Sequence, residues 1–163
     1  MSDELFRSVF RRHPAGVTVV TLGSPSGPVG FTATSVVSVS MDPPLLSFAI
    51  AQTSSSLAAL SRAESVLIHW PEAGQSDLAT RFARSAQERF SDPEMWTALS
   101  SGEPLLHGVA TWVRCLLTER VQAGDHTIVI GRVVEACMNG GGDNAPLAYL
   151  DGRYHELVPI GTP

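Results

Sequence analysis

Alternating apolar and polar positions run through most of the chain and predict a protein built mainly from β-strands. The alternation is clearest from residue 29 to about residue 40, where most odd positions are apolar and the even positions are rich in hydroxyl groups. Further strands are predicted at residues 17–22, 45–51, 66–70, 109–121, 127–136, 147–150 and 153–157. Because these strands come in runs and do not alternate with helices, they indicate an antiparallel sheet.

A smaller part of the chain has helical spacing. Leu5, Phe6, Val9 and Phe10 recur at the period of a helix that begins after Ser2 and ends before Pro14. Short helices are also predicted after the serine-rich segment 52–56 and between residues 75 and 99, where Ser76 and Asp92 are the expected caps. These helices are too few to form a layer of their own.

The strands and helices together predict one domain spanning residues 1–163, folded as a closed antiparallel β-barrel with a few short flanking α-helices. Closing the sheet removes its exposed edges, which is the usual solution for an all-antiparallel sheet of this size. The Asp151-Gly152 dipeptide predicts a tight hairpin between the last two strands. The glycine-rich segment 139–144 is interpreted as a flexible loop and not as a phosphate-binding motif.

Charge and hydropathy exclude several classes of partner. The net charge is −5, and the longest basic run is Arg11-Arg12, so nucleic acid binding is not expected. No apolar run approaches the roughly 20 residues that a membrane helix needs. The acidic start at Asp3 and Glu4 lacks the features of a signal peptide, which predicts a cytoplasmic protein. Every basic side chain is Arg, so Schiff-base chemistry and a phosphate-loop lysine are excluded.

Common catalytic and metal motifs are absent. Cys115 and Cys137 lie in apolar strand segments and are expected to be buried inert thiols, and no His/Cys pair has metal-ligand spacing, so no metal site is predicted. The chain has no Gly-x-Gly-x-x-Gly, phosphate-loop or Gly-x-Ser-x-Gly motif. A hydrolase triad built on Asp125 and His126 is set aside, because it requires a geometry that sequence alone does not indicate.

The remaining pattern resembles the short-chain flavin reductases, the reductase components of two-component flavin monooxygenases, which have the FMN-binding split-barrel fold. The most specific block is Gly-Phe-Thr-Ala-Thr-Ser-Val-Val-Ser-Val-Ser-Met-Asp-Pro-Pro-Leu at residues 30–45. Weaker blocks follow in the family's order at residues 13–17, 81–83, 89–90, 124–127 and 152–154. The resemblance implies transfer of hydride from NADH or NADPH to FMN or FAD, supply of the reduced flavin to a partner monooxygenase, and a two-fold homodimer.

The resemblance also implies which residues hold the flavin. The hydroxyl-rich strand offers neutral hydrogen-bond donors, which suit a ring that gains electron density near N1 and O2 on reduction. The residues implied to contact flavin are Thr32, Ala33, Thr34, Ser35, Ser38 and Val39 in this strand, Gln52, Thr53, Ser54 and Ser55 in the serine loop, Phe82 and Ala83 near the flavin tail, and Arg81 or Arg89 near phosphate. Thr34 replaces an Asn found in many relatives. For each of these two arginines, an equally simple interpretation is a charged helix side chain that only contacts solvent.

The nicotinamide side is implied to involve His126, Arg153 and Tyr154. His126 begins a strand after a Gly-Asp turn, which predicts a place at a barrel rim, and its expected role is to orient the nicotinamide for hydride transfer. His69 stands where an aliphatic residue is expected. Two alternatives stay open from the residues alone: a flavin-binding barrel that carries electrons without oxidising NADH, and a relative of pyridoxamine-phosphate oxidases. FMN and FAD, like NADH and NADPH, are equally compatible with this sequence.

Overall fold

The described part of the protein consists mainly of antiparallel strands, as predicted, with four short α-helices. A computed structural model describes residues 1–139 and 145–161, so most of the glycine-rich segment predicted as a loop lies outside the described residues. The helices are α1 (Asp3–Phe10), α2 (Leu57–Leu60), α3 (Ser76–Ala83) and α4 (Ala86–Arg89). The strands are β1 (Ala15–Gly16), β2 (Thr18–Ser24), β3 (Gly27–Ala33), β4 (Val37–Met41), β5 (Pro44–Ala51), β6 (Ser65–Trp70), β7 (Trp96–Ala98), β8 (Pro104–Leu106), β9 (Thr111–Ala123), β10 (His126–Met138), β11 (Leu147–Leu150) and β12 (Arg153–Glu156).

Seven strands form the main sheet, in the order β3-β2-β6-β9-β10-β5-β4. A three-stranded sheet of β1, β11 and β12 and the hairpin β7-β8 lie beside it. The inward face of the main sheet supplies the core, in which Val20, Phe31, Phe48, Ile68 and Val129 are buried. Burial of such side chains contributes on the order of 2 kcal/mol each, so this face holds the sheet together.

The prediction of a closed barrel is wrong at the level of backbone pairing. In the part of the chain that the structure describes, β3 and β4 are the two edges of the main sheet and are not hydrogen-bonded to each other. The chain bends out of the ladder at residues 34–36, the hydroxyl bend. There the Ser35 hydroxyl accepts from the Ala49 N–H at 2.9 Å and donates to the Ala49 carbonyl at 3.2 Å. A side chain therefore fastens the bend between β3 and β4 to β5 at this seam, in place of a ladder.

The hydroxyl bend also corrects the single strand predicted over residues 29–40. That segment forms two strands, because the chain leaves one edge of the sheet and enters the other. Phe31 and Ala33 face the core at 6% exposure, whereas Val37 and Val39, which have the same parity, are 56% and 52% exposed. The apolar positions of this segment therefore belong to two different surfaces, the core face of β3 and an exposed face of β4.

The helical prediction for residues 75–99 holds for only part of that range. A 3-10 turn at Ala73–Gln75 precedes α3 and α4, and a second one at Pro93–Met95 is capped by Asp92, whose carboxylate accepts from the Glu94 N–H at 2.9 Å. The chain then becomes β-strand at Trp96–Ala98. Trp96 packs edge-to-face against Phe90 with 5.5 Å between ring centroids, so tertiary packing decides the conformation there.

Helix α1 is confirmed, but its apolar face is not buried by any of the residues that the structure describes. Ser2 caps it by accepting from the Leu5 N–H, and none of its residues is buried. One backbone contact joins its end to the β11–β12 turn, where the Asp151 N–H donates to the Arg11 carbonyl at 3.0 Å. None of the helices in the described ranges is long and apolar enough to cross a membrane.

The core contains one neutral histidine. His69 on β6 is fully buried, and its Nδ1 lies 3.1 Å from the Val19 carbonyl, while the Leu106 N–H donates to Nε2 at 3.2 Å. Burial lowers the pKa of His69 to about 4, against a smaller opposing effect of the hydrogen bond to Val19. The histidine that departs from the expected aliphatic residue thus connects β2, β6 and β8 inside the fold.

A buried ion pair holds the β7-β8 hairpin to the main sheet. The Glu103 carboxylate accepts from Arg114 Nε at 2.8 Å and from the hydroxyls of Ser65 and Ser101. Burial alone raises the pKa of Glu103, but these hydrogen bonds and the Arg114 charge outweigh it, so the pKa is lowered overall. The charge is therefore retained inside the protein because it is fully partnered.

Candidate functional site

The hydroxyl bend and β4 present part of the predicted flavin strand at the surface. Thr34, Ser38 and Val39 are exposed, and Ser35 lies at the seam. Because residues 34–36 belong to no strand, their backbone N–H groups are not committed to a ladder. These groups and the exposed hydroxyls are neutral donors of the kind that the sequence predicted.

Two residues of the same segment are turned into the protein. The Thr32 hydroxyl donates to the Ala79 carbonyl of α3 at 2.5 Å, and Ala33 is buried. Their side chains therefore anchor β3 to α3. The exposed part of the predicted flavin strand begins at Thr34.

Strand β5 brings the hydroxyl bend and His126 together. Ser35 bonds to both backbone groups of Ala49, and His126 is paired with Ala51 across the β5–β10 ladder. Ala49 and Ala51 are two positions apart on a strand and lie on one face, about 7 Å from each other. Their methyl side chains are small and partly exposed. The arrangement forms a shallow, small-residue floor between a hydroxyl-rich edge and an imidazole.

His126 is held by the turn that precedes it. Gly124 has φ +61°, a left-handed conformation that glycine adopts readily, and the Gln52 N–H donates to the Asp125 carbonyl at 2.8 Å. His126 Nδ1 lies 2.7 Å from Asp125 Oδ1. This hydrogen bond is the main cause that lowers the pKa of Asp125, and the charges of His126 and, more weakly, Arg7 act in the same direction.

The serine loop borders a cavity on the other face of β10. The cavity has a volume of about 520 Å³ and is lined by Gln52, Ser54, Leu57, Ala58, Leu60, Ser61, Arg120, Gln122, Thr127 and Val129. Gln52 Nε2 donates to the Thr127 hydroxyl at 2.7 Å. Thr127 and His126 are consecutive strand residues and point to opposite faces, so Gln52 and Ser54 do not share a cavity with His126. Arg120 and Thr127 were not predicted, because their role depends on the pairing of distant strands.

Two predicted loop residues lie outside that cavity. Thr53 and Ser55 are exposed, and Ser55 lines a second depression together with Arg62. Ser56, at the start of α2, makes no side-chain capping bond: its hydroxyl accepts from Arg89 Nη1 at 3.0 Å, and its own N–H donates to the Ser54 hydroxyl at 3.3 Å. The loop is therefore positioned by Arg89.

Arg89 uses its guanidinium within the protein. Nη1 also donates to the Gly30 carbonyl at 2.8 Å, and Nε and Nη2 donate to the Arg84 carbonyl at 3.0 Å and 2.7 Å. Partial burial lowers its pKa. Arg89 therefore joins α4, β3 and the serine loop, and most of its donors are already occupied.

Arg81 is more open. It lines a polar cleft of about 380 Å³ with Thr80, Arg84 and Ser91, and its Nη1 lies 3.3 Å from Met95 Sδ. Phe82 beside it is fully buried, so any contact of that residue with a ligand would be through its backbone. Ala83, at the end of α3, is exposed. Among the predicted tail residues, Arg81 and Ala83 are the accessible ones.

Arg153 and Tyr154 lie on β12, beside the cavity of about 560 Å³ that Tyr154 lines with Gln75 and Ser76. His126 does not line this cavity. The Arg11 carbonyl, at the end of α1, accepts from the Asp151 N–H in the turn that precedes Arg153 and Tyr154. The predicted nicotinamide residues thus do not share a pocket.

Metal ligation has no support in the described residues. No group of three or more His, Cys, Asp or Glu side chains is arranged there to hold a metal ion. Cys115 is buried, and burial raises the pKa of its thiol to about 12 against a weaker lowering by Arg114. It is a packing residue.

Comparison with known proteins identifies the family. The model of the flavin reductase like domain matches residues 10–158. An NADH:FMN oxidoreductase of Rhodococcus erythropolis is 53% identical over 96% of this chain and 82% of its own. The reductase component of a flavin-dependent trigonelline monooxygenase of Acinetobacter baylyi is 39% identical over 96% of this chain and 49% of its own.

A solved structure agrees with these sequences. The NADH:FAD oxidoreductase of Streptomyces globisporus, determined in complex with NAD and FAD fragments, superposes with a TM-score of 0.87 at 32% identity, covering 98% of this chain and 96% of that one. Fold and sequence identity therefore agree with the resemblance found in the residues. The chain belongs to the flavin reductase family.

Proposed function

We propose that this protein is an NAD(P)H:flavin oxidoreductase that reduces FMN or FAD and supplies the reduced flavin to a partner monooxygenase. The observation that carries the proposal is the alignment on β5, where the hydroxyl bend meets Ala49 and His126 meets Ala51. A flavin ring held at the bend would then lie within reach of a nicotinamide ring oriented by His126. Such juxtaposition of two bound reactants is what a transfer between them requires.

The hydroxyl bend fits a flavin by its chemistry. The donors there are the N–H groups of residues 34–36, which belong to no strand, and the exposed hydroxyl of Thr34, with that of Ser38 on the adjoining β4, and none of these groups carries a fixed positive charge. Neutral, preorganised donors stabilise the charge that develops on a reduced ring. Val39 offers an apolar surface for the ring itself. Ala49 and Ala51 leave room for a planar group, because their side chains do not project beyond one methyl.

The dinucleotide is proposed to be bound and oriented by His126, Arg153 and Tyr154. When both ligands are bound, the nicotinamide supplies a hydride, which carries two electrons, and the flavin accepts it. His126 contributes by fixing the approach of the nicotinamide, since hydride transfer needs no acid or base from the protein. Closed packing of the two ligands would also exclude water from the reacting atoms.

Two separate places are proposed for phosphate: the serine loop, where Ser54 and Ser55 are joined by backbone groups of Gln52 and Thr53, and the cleft lined by Arg81. Arg81 has the accessible guanidinium, while Arg89 is proposed to hold the serine loop in place through Ser56. These contacts do not require the flavin to stay bound permanently. A flavin that dissociates suits a protein that passes the reduced flavin to a second enzyme. The trigonelline monooxygenase relative is named as such a reductase component.

Steady-state oxidation of NADH and NADPH with riboflavin, FMN and FAD tests the function directly. Wild-type protein is expected to oxidise a nicotinamide cofactor only when flavin is present. His126→Ala is expected to raise KM for that cofactor, or slow hydride transfer, by roughly five- to a hundred-fold in kcat/KM, with flavin Kd unchanged. His13→Ala, at an exposed position, is the matched control. Flavin binding without any NADH or NADPH oxidation would instead indicate a non-catalytic carrier.

A two-fold homodimer is part of the proposal, and its interface is proposed to be the outward face of β4, β5, β9 and β10. Val37 pairs with Ser47, which pairs with Ile130, and one row further Ala49 pairs with Ile128, which pairs with Val121. Directly paired residues share a face, so these side chains form one mainly apolar patch, in which Ser47 is the polar member. Val37, Val121 and Ile128 are 56%, 49% and 38% exposed in the single chain. A second copy would cover this patch and, because Ala49 belongs to both, would close over one side of the β5 floor.

Sedimentation velocity at micromolar concentration measures this assembly. Wild-type protein is expected to be a dimer, and Ile128→Arg, which places a charge in the middle of the patch, is expected to yield monomers. Val158→Arg, in an exposed segment outside the sheets, controls for a general effect of the added charge. A wild-type monomer, or an Ile128→Arg dimer of unchanged affinity, would contradict the proposed interface.

A further inference from the structure

We propose that Asp125 is a positioning residue that selects the tautomer and ring orientation of His126. The inference rests on the proposed function in that it assigns His126 to the nicotinamide side. It goes further by identifying what sets the hydrogen-bonding state of that imidazole. Asp125 itself touches neither ligand in this scheme.

The contact between the two side chains determines the tautomer. His126 Nδ1 lies 2.7 Å from Asp125 Oδ1, and an ionised carboxylate can only accept hydrogen bonds. Nδ1 therefore carries a proton, and in the neutral ring Nε2 is left as an acceptor. An acceptor at that position suits a primary amide N–H donor, which is the group that nicotinamide carries.

The backbone on both sides of His126 is fixed, which limits the positions that its ring can take. Gln52 binds both neighbours of His126: its N–H donates to the Asp125 carbonyl at 2.8 Å, and its Nε2 donates to the Thr127 hydroxyl at 2.7 Å. Gly124 supplies the left-handed turn that starts this segment. With the residues before and after it fixed, the imidazole retains only its side-chain rotations. The Asp125 carboxylate selects one of them.

The same geometry argues against a stabilising role for the pair. The Asp125 side chain is 93% exposed and that of His126 is 46% exposed, and ion pairs in such surroundings add little to folding stability. Loss of Asp125 should therefore leave the thermal midpoint unchanged. Its effect is expected on the orientation of one ring.

Kinetics of Asp125→Ala and Asp125→Asn test the proposal in the full-length protein. Asp125→Ala is expected to raise KM for NADH by about five- to twentyfold, with kcat nearly unchanged and flavin Kd unchanged. Asp125→Asn should recover most of the loss, because its amide oxygen still accepts from Nδ1–H. Glu64→Ala removes one negative charge at another exposed position and is the matched control.

A double-mutant cycle and a spectroscopic measurement complete the test. In a His126→Ala background, Asp125→Ala should have no further effect on KM, because its partner is absent. Ring ¹⁵N NMR of His126 should show protonated Nδ1 in the wild type and a shift toward the Nε2–H tautomer in Asp125→Ala.

Two results would overturn the proposal. If His126→Ala is impaired while Asp125→Ala keeps the wild-type KM and tautomer, Asp125 does not position the ring, and the proposed function stands. If His126→Ala itself behaves as wild type, both the nicotinamide assignment and the role of Asp125 fail.

Discussion

The buried imidazole of His69 makes the stability of this protein depend on pH in a defined window. Its pKa is lowered from 6.5 to about 4 in the folded state, so between these values the unfolded chain binds a proton that the native protein does not. The free energy of unfolding must therefore fall as the pH is lowered through this range. Since one pKa unit corresponds to about 1.4 kcal/mol, the loss is about 2 kcal/mol at pH 5 and about 3 kcal/mol at pH 4, relative to pH 7.5.

Comparison with His69→Gln isolates this contribution from those of the carboxylates. Glutamine can donate to the Val19 carbonyl and accept from the Leu106 N–H, but it does not titrate. Urea unfolding of both proteins at several pH values from 7.5 to 4 should show their difference in free energy changing by about 3 kcal/mol in favour of the variant. His13→Gln is the control for loss of an imidazole at the surface. A difference that stays constant to within about 0.5 kcal/mol would refute burial of a neutral His69.

Two further changes test the packing around the site. Glu103→Gln should cost about 3 kcal/mol in urea unfolding, because Arg114 loses its buried carboxylate partner, whereas Glu88→Gln in the exposed pair with Arg84 should cost less than about 0.5 kcal/mol. Gly30→Ala should destabilise the protein by about 1–3 kcal/mol, because its Cβ would lie 2.8 Å from the Phe82 ring and 3.0 Å from the Val20 carbonyl. Gly16→Ala, whose Cβ would meet nothing within 4 Å, is the control, and equal losses at both glycines would contradict the steric explanation.

Local patterns in the sequence were sufficient to predict most strands, helix α1 and the family. They failed where two distant segments determine the outcome. The alternation over residues 29–40 continues through the hydroxyl bend, so only the pairing of Ser35 with Ala49 reveals that the segment changes edges. The strand at Trp96 likewise depends on packing against Phe90.

In the candidate site, too, the sequence predicted the types of residue but not where their side chains lie. Hydroxyl content and motif order predicted which residue types would surround the ligands. The sequence did not indicate that the Phe82 side chain is buried or that Arg89 is occupied by backbone carbonyls, because both depend on how α3 and α4 pack on β3. Thr127 was missed because its contact with Gln52 spans 75 residues.

The seam between β3 and β4 has a consequence for the order of folding. The ladders of the main sheet join segments far apart in the chain, such as Val19 and His69, 50 residues apart, and such non-local pairing is expected to give folding times of milliseconds to seconds. The two edges at the seam are instead consecutive strands, joined by residues 34–36, so bringing them together adds little loop-closure entropy. Assembly of the distant strands should therefore set the folding rate. The hydroxyl bend would take its final shape afterwards, on a sheet that has already formed.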